Sequence, residues 1–367
     1  MTTVYWDITS RCNGKCSYCA AGRMLGETRS PDLSTELVFT TLDDLRAAGV
    51  GTVIFLGGEP TLRDDLAQII GCAAGRGLGV GIATNGLALT APLRRALVDH
   101  IGRLSVNFSL DSTDDAANDL VRGSGHRDIC LGAIGDLMLA RRDAGSPVRI
   151  TVQVTLTRAA IPRLRETLLQ LIDLGVDSVL VDRMRTFAWQ DAAVKALAPG
   201  PEEWIGASRL LARTATEEGI SHRLLLNYGH AKLKAALEAW YRYPIRPERR
   251  CPGGLETAVI DTRGWFHPCR VIGERPVPRR EDGRPYFVVR PPRVGTSETA
   301  GFLRSPYFVD FFNFAHAAGV YERISACRAC PHYLECEPCP LDVVTFGDRV
   351  LAECRIVDRM VEQGGGR

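Results

Sequence analysis

The residues in this chain best suited to do chemistry are its cysteines, twelve among 367 residues. Three stand together near the start, in Cys12-Asn-Gly-Lys-Cys16-Ser-Tyr-Cys19, a C-x3-C-x2-C run. Three thiolates this close on one loop can bind three irons of a cubane and leave the fourth iron without a protein ligand. A substrate or cofactor could then coordinate that iron. Zinc competes for such thiols, but a structural zinc takes four protein ligands, and no histidine or fourth cysteine lies nearby. Three unrelated buried cysteines are the remaining alternative. Seven more cysteines follow residue 250, as Cys251-x12-Gly264-x4-Cys269, then Cys327-x2-Cys330-x5-Cys336-x2-Cys339, then x14 and Cys354. Only His267 and His332 stand near them, which suits iron–sulfur ligation better than the alternative of two zinc sites. Cys72 and Cys130 fall in or beside apolar helical segments and read as small buried side chains. The competing role for either is a thiol that returns a hydrogen atom to a substrate radical.

The first half of the chain must position these thiols, and it alternates β-rich runs with helical ones. Strands are predicted over 4–8, 52–56, 78–83, 104–110, 148–156 and 178–181. Helices are predicted over 33–48, with Ser34 or Thr35 near the start, and over 62–74, 91–98, 131–144 and 161–174. Strands separated by helices of this length imply a parallel sheet with right-handed crossovers. Six such strands fit an open, partial (β/α)6 barrel of the α/β class. Ligands bind such folds at the carboxyl ends of the strands, where glycines let backbone approach closely. Residues 199–218 read as a linker and a helix, and 228–250 as a further helical stretch ending in the basic run Arg246 to Arg250. From Cys251 onward proline and glycine rise and apolar periodicity weakens, as in a small domain held by metal rather than by a large core. Residues 274–295, rich in arginine and proline, read as a surface loop, and the tail 364–367 as frayed. The expected organisation is a barrel over 1–200, a helical linker over 201–250 and a cysteine-rich domain over 251–367.

Composition excludes several classes. Hydrophobic residues make up 45% and charged residues 24%, an ordinary globular balance. The net charge of +2 gives no field that would argue for nucleic acid. No apolar run reaches the ~18 residues of a membrane helix, and no signal peptide is seen at the start. The expected location is the cytoplasm.

The Cys12–Cys19 run, with aromatic Tyr18 before its third cysteine, resembles the radical SAM family. The resemblance extends along the strand ends. Gly57-Gly58-Glu59-Pro60 is similar to the family's GGEP motif, whose backbone and glutamate receive the methionyl amino group of S-adenosylmethionine (SAM). Thr84-Asn85-Gly86 after the third strand, and Ser109 and Asp111 at the end of the fourth, stand where the family holds SAM. Asp119-Leu-Val-Arg122-Gly123 resembles its D-x-x-RG segment, and Gln153 on the fifth strand takes a position that often faces SAM. The C-terminal cysteines are similar to a SPASM extension, which carries two auxiliary [4Fe–4S] clusters. By position, Cys251, Cys269 and Cys339 would serve the first auxiliary cluster, and Cys327, Cys330, Cys336 and Cys354 the second. Two residues, Glu337 and Pro338, separate Cys336 from Cys339 where the usual pattern has three. The first auxiliary cluster then lacks a fourth cysteine, a gap that could be open, filled by Glu256 or another side chain, or taken by substrate.

The resemblance implies a [4Fe–4S] cluster that binds SAM at its open iron, a 5′-deoxyadenosyl radical, and a flavodoxin- or ferredoxin-type reductant. Auxiliary clusters suggest a net two-electron oxidation, since one can accept the second electron. Because few residues precede Cys12, a small polar natural-product intermediate is expected as substrate, such as a sugar, aminocyclitol or aminoglycoside. Asp182, Arg183 and Arg185, at the end of the sixth strand, and Glu256 are the catalytic candidates. Tyr5 and Asp7 could line the barrel. Redox-neutral epimerisation, peptide maturation by cross-link or thioether, and a non-catalytic metal scaffold are the alternatives.

Overall fold

The computed structural model describes residues 3–19, 31–100, 103–186, 190–226, 231–244, 253–270, 272, 284–285, 290–317, 325–330, 339 and 351–362. The expected arginine run 246–250, the tail 364–367, Cys251 and Cys336 lie outside them, as do His332 and much of 274–295.

Alternation of residue type builds the sheet. In β1 (Thr3–Thr9), Val4, Trp6 and Ile8 are buried, whereas Thr3, Tyr5 and Asp7 are half-buried. The same two-residue period runs through β2 (Thr52–Gly57), β4 (Leu104–Ser109) and β5 (Arg149–Leu156). Between them in chain order stands β3 (Gly79–Thr84), and β6 (Ser178–Arg183) follows. The apolar row packs beneath the crossover helices α1 (Thr35–Ala47), α2 (Leu66–Gly75), α3 (Ala91–Val98), α4 (Asp115–Arg122), α5 (His126–Ala144) and α6 (Leu164–Leu174). The opposite row carries Ser105, Asn107 and Ser109 from β4 and Thr151, Gln153 and Thr155 from β5, all half-buried. A closed barrel fills this interior with layers of branched apolar side chains. Here it is polar and open.

The six expected strands are present, and two short ones extend the sheet. Its order is β7-β6-β5-β4-β3-β2-β1-β8-β9, parallel throughout except between β8 and β9. β7 (Leu224–Leu226) comes from the stretch read as a linker, where only α7 (Ala192–Ala196), α8 (Pro201–Glu217) and α9 (Ala231–Tyr241) flank it. β8 (Thr257–Ile260) pairs with β1, Tyr5 opposite Val259, so the cysteine-rich part begins inside the sheet; β9 (Phe266–His267) turns back on it. Ser34 caps α1, its hydroxyl accepting from Leu37 N at 3.2 Å, as its residue type predicts. The helix expected over 62–74 starts at Leu66, because Pro60–Leu62 form a separate 3-10 turn. The helix expected from residue 131 starts at His126, and Gly123 and Gly125, both at positive φ, divide it from α4.

The C-terminal part contributes buried aromatic rings to the apolar core it shares with the barrel, where metal rather than a large core was expected to hold it. Phe266 stacks on Phe302 with centroids 4.3 Å apart, and Phe302 meets Phe308 edge-on at 5.3 Å. Phe308 lies with Phe311 on α10 (Pro306–Phe312), and Phe314 follows; all five rings are buried. The apolar residues there cluster by tertiary contact rather than by helical period, so the sequence pattern did not reveal them. α11 (Ser325–Arg328) and α12 (Ala352–Glu362) complete the described elements. Among the described residues no helix is long and apolar enough to cross a membrane.

Candidate active site

Cys12–Cys19 leave the carboxyl end of β1 as an irregular loop, with Cys12 exposed and Cys16 and Cys19 half-buried. Ser17 N donates to Val121 O at 2.8 Å, Asn85 Nδ2 to Asn13 Oδ1 at 2.9 Å and Gln190 Nε2 to Tyr18 O at 3.2 Å. The loop is thus held from α4, from β3 and from beyond β6. A Cβ at Gly14 would stand 3.6 Å from Cys12 Sγ and 3.8 Å from Cys16 Sγ. The absent side chain keeps the hollow between the thiols open. Among the described residues no three His, Cys, Asp or Glu close on a single-ion site. Burial pushes the Cys16 thiol up to about 11, with the nearby Arg122 charge opposing; Cys12 is raised too, chiefly by burial. Positive metal charge would reverse that balance and ionise them. Donor set and hollow fit a four-iron cluster with one open iron.

Tyr18, Asp111 and Arg122 form one buried unit. Arg122 donates Nε to Asp111 Oδ2 at 2.9 Å and Nη2 to Asp111 Oδ1 at 2.8 Å, a two-pronged ion pair. Its Nη2 also donates to Tyr18 OH at 2.7 Å, and that hydroxyl donates to Asp111 Oδ2 at 2.7 Å. Nη1 faces Cys16 Sγ at 3.8 Å. Asp111 is fully buried and further accepts from Thr155 N at 2.9 Å. Tyr18 and Asp111, placed by the resemblance among the SAM-binding residues, are joined here to each other and to Arg122. Their polar atoms are engaged within the protein and brace the cysteine loop, while Arg122 alone keeps a nitrogen turned toward it.

The GGEP segment differs from expectation in the same direction. Glu59 is 1% exposed, and its carboxylate accepts from Thr61 N (3.1 Å), Thr61 Oγ1 (2.7 Å), Thr84 Oγ1 (2.8 Å) and Asn85 N (2.7 Å). Burial raises its pKa and these donors oppose the rise. Glu59 thus ties the end of β2 to the end of β3 and caps the turn in which Pro60 is buried. A Cβ at Gly57 would meet Thr9 O at 2.5 Å, and one at Gly58 would meet Arg11 O at 2.0 Å. Both glycines let this segment close on the exit of β1, where Gly58 N donates to Thr9 O and Glu59 N to Arg11 O. The close approach expected toward a ligand is made to the protein's own backbone.

Along the inner face, Asn107 Nδ2 donates to Gln153 Oε1 at 3.0 Å, and Gln153 Nε2 donates to Asp182 Oδ2 at 2.8 Å. Ser109 stands in register with Gln153. Buried Asn107 Oδ1 has no partner among the described residues, leaving an acceptor inside the barrel for a ligand. Asp182 adds to burial in raising the pKa of Tyr5 across the interior. Asp182 lines the interior, but its neighbours do not. Arg183 pairs with Glu353 of α12 and donates to Pro199 O at 3.0 Å, and Arg185 is exposed. Glu256 also lies elsewhere. Its carbonyl accepts from Thr3 N at the amino end of β1, about 20 Å along the strand from the cysteine loop. Asp7 lines the interior, held by Arg270 at 3.0 Å beside Cys269.

Cys130 is fully buried on α5 behind Gly86, where burial pushes its thiol up to about 12. Cys72 touches the Arg76 guanidinium at 2.6 Å on the outer side of α2. Neither opens on the barrel. Cys269, Cys327, Cys330, Cys339 and Cys354 are half-buried in the C-terminal part. Gln190 and His126 escaped the sequence analysis, since single polar residues outside a spaced motif carry no signal.

A half-open parallel barrel with three thiols and a row of polar groups at one end defines an enzyme of the cofactor-dependent α/β class. Residues 6–134 match the family described as the Radical SAM superfamily, and this part of the chain is a radical SAM domain. Among similar curated proteins, the tungsten-containing aldehyde ferredoxin oxidoreductase cofactor-modifying protein of Pyrococcus furiosus is 30% identical over 50% of this chain and 52% of its own length. The PqqA peptide cyclase of Streptomyces rochei is 28% identical over 64% of this chain and 63% of its own. The crystal structure of Streptococcus suis SuiB bound to precursor peptide SuiA superposes with a TM-score of 0.67 at 15% identity, covering 94% of this chain and 73% of that one. The shared fold therefore extends into the cysteine-rich part. The chain spans about half the length of the first of these curated relatives. The resemblance to a radical SAM enzyme with a SPASM-type C-terminal part is borne out.

Proposed function

We propose that the chain uses its radical SAM site to oxidise a peptide, with SPASM-type auxiliary clusters in its C-terminal part. The observation that carries the site is the convergence of Cys12, Cys16 and Cys19, the GGEP segment, Asn85 and Arg122 at the carboxyl end of one sheet, opening on a polar interior. When bound, the cluster and SAM would supply a carbon radical able to take hydrogen from an unreactive C–H bond. The protein's part is to hold and shield. Cys12, Cys16 and Cys19 would ligate the cluster. The backbone of Gly57–Pro60 would receive the methionyl amine, since the Glu59 side chain is engaged with Thr61, Thr84 and Asn85. Arg122 Nη1 would meet the methionyl carboxylate as a charge-assisted donor. Asn107, Ser109, Gln153 and Asp182 would line the path of the substrate.

Peptide maturation takes precedence over the sugar or aminocyclitol dehydrogenation expected from sequence because of the company the chain keeps. One relative is named a peptide cyclase, and the SuiB fold neighbour is bound to a precursor peptide. Epimerisation would need an accessible thiol to return a hydrogen atom, and Cys130 is fully buried behind Gly86. The electron donor would be a flavodoxin or ferredoxin. To test substrate class, reduced, iron-reconstituted protein is incubated with SAM and either a peptide library or a panel of aminocyclitols. A rise in 5′-deoxyadenosine with peptides is expected. A rise with aminocyclitols alone would overturn the peptide reading.

A further inference from the structure

A cation reaches the barrel interior from the C-terminal part. Asp7 stands on the inward row of β1, two residues, about 7 Å, before the carboxyl end of the strand. Arg270, three residues beyond β9, donates Nη2 to Asp7 Oδ1 at 3.0 Å. The Asp7 side chain is 15% exposed and that of Arg270 38%. Asp7 anchors the guanidinium and leaves it open.

A guanidinium is planar and carries five N–H donors, with Nη2 paired to Nε along one edge and to Nη1 along the other. The bond to Asp7 uses one Nη2 hydrogen. Whichever edge that hydrogen belongs to, the other edge keeps two parallel donors. Among the described residues no second group accepts from Arg270. Two parallel N–H donors are the geometry that meets a carboxylate. A pair built only to tie elements together looks different. Arg63 meets Asp65 with two prongs, at 2.8 Å and 2.6 Å, and its side chain is 3% exposed. The inward side chains Tyr5, Asn107, Ser109 and Gln153 are uncharged, and the Asp182 carboxylate accepts from Gln153. Arg270 adds the positive charge that these groups lack.

We infer that Arg270, held to β1 by Asp7, binds a carboxylate of the peptide in the barrel and so sets which peptides react. The carboxylate belongs to an aspartate or glutamate side chain or to the carboxyl terminus of the peptide. Its two oxygens take the free edge of the guanidinium. The substrate is thereby fixed near the end of β1, from which the loop of Cys12, Cys16 and Cys19 departs. The inference rests on the peptide reading and adds to it the group by which a peptide is chosen.

The test measures 5′-deoxyadenosine release by the reduced, iron-reconstituted chain, with SAM, against matched peptide libraries whose random positions exclude aspartate and glutamate. One pair carries a central glutamate or glutamine with the terminus amidated. The other carries a central glutamine with the terminus free or amidated. The parent should favour the carboxylate member of one pair by about tenfold or more in kcat/KM, and the pair that shows the preference identifies the source of the carboxylate. Arg270→Gln should raise KM for the carboxylate peptides and bring the ratio close to one. Arg270→Lys keeps a charge for Asp7 but lacks parallel donors, and should lower the ratio in part. A merely structural tie would slow both members alike and leave the ratio unchanged. A parent that accepts peptides without regard to the carboxylate overturns the inference and leaves the peptide reading standing. So does either variant with the parent's iron content and the parent's ratio. A parent that turns over no library overturns the peptide reading, and the role of Arg270 with it.

Discussion

Arg122 shows how a single side chain can serve both fold and chemistry. Three of its nitrogens have work to do: two hold Asp111 and Tyr18, and one faces Cys16. Asp111 is fully buried and Arg122 is 7% exposed, so removing one charge strands the other. Arg122→Met is expected to cost about 3–5 kcal/mol of stability, read as a lower midpoint in urea, together with a loss of SAM affinity. His126, 2% exposed, lies against the same unit. Asn118 Nδ2 lies 3.1 Å from its Nδ1, and burial with the Arg122 charge lowers its pKa from 6.5 to about 4. The folded state therefore resists a proton that the unfolded chain accepts. Stability contributed by neutral His126 is complete above pH 6.5 and is lost as pH falls toward 4, about 3 kcal/mol in all. Urea midpoints should fall over that window for the parent and fall less for His126→Gln. The cysteines were legible because their spacing alone encodes ligation. The roles of Asp111 and Glu59 were not, because a motif reports which residues stand together and not which atoms are already engaged.

At the scale of elements, the strand ends are assembled by backbone contacts that only glycine permits. Gly58→Ala would drive a methyl group into Arg11 O, and overpacking of this kind costs about 1–3 kcal/mol. The damage should appear as lost stability and weakened SAM binding together. Gly71, at an exposed position in the middle of α2, has open space where a methyl group would stand, with no atom within 4 Å. Gly71→Ala should instead stabilise by up to about 1 kcal/mol through helix propensity. A pair of thermal melts on the two variants checks both signs. The six long strands and most helices were legible from their periods. The three residues of β7 and four of β8 are too few to show a period, and only their pairing partners make them strands.

At the scale of the whole molecule, the barrel and the cysteine-rich part are joined by contacts far apart in sequence. β8 extends the sheet beyond β1, and Arg183 binds Glu353, one residue before Cys354. Arg183 was expected in catalysis from its place at a strand end, and its partner 170 residues away could not be foreseen from local sequence. Arg183→Met removes the Arg183 cation from Glu353, which is 8% exposed. It should cost about 1–3 kcal/mol and lower iron content in the C-terminal part, read by protein-bound iron after reconstitution, without abolishing SAM cleavage. The central claim is that the loop of Cys12, Cys16 and Cys19 directs radical chemistry on SAM. It is tested most directly by measuring 5′-deoxyadenosine released by the reduced, iron-reconstituted chain and by its Cys12→Ala/Cys16→Ala/Cys19→Ala variant. The parent should release it and the variant should not. An iron-loaded parent that binds SAM and releases none would contradict the account.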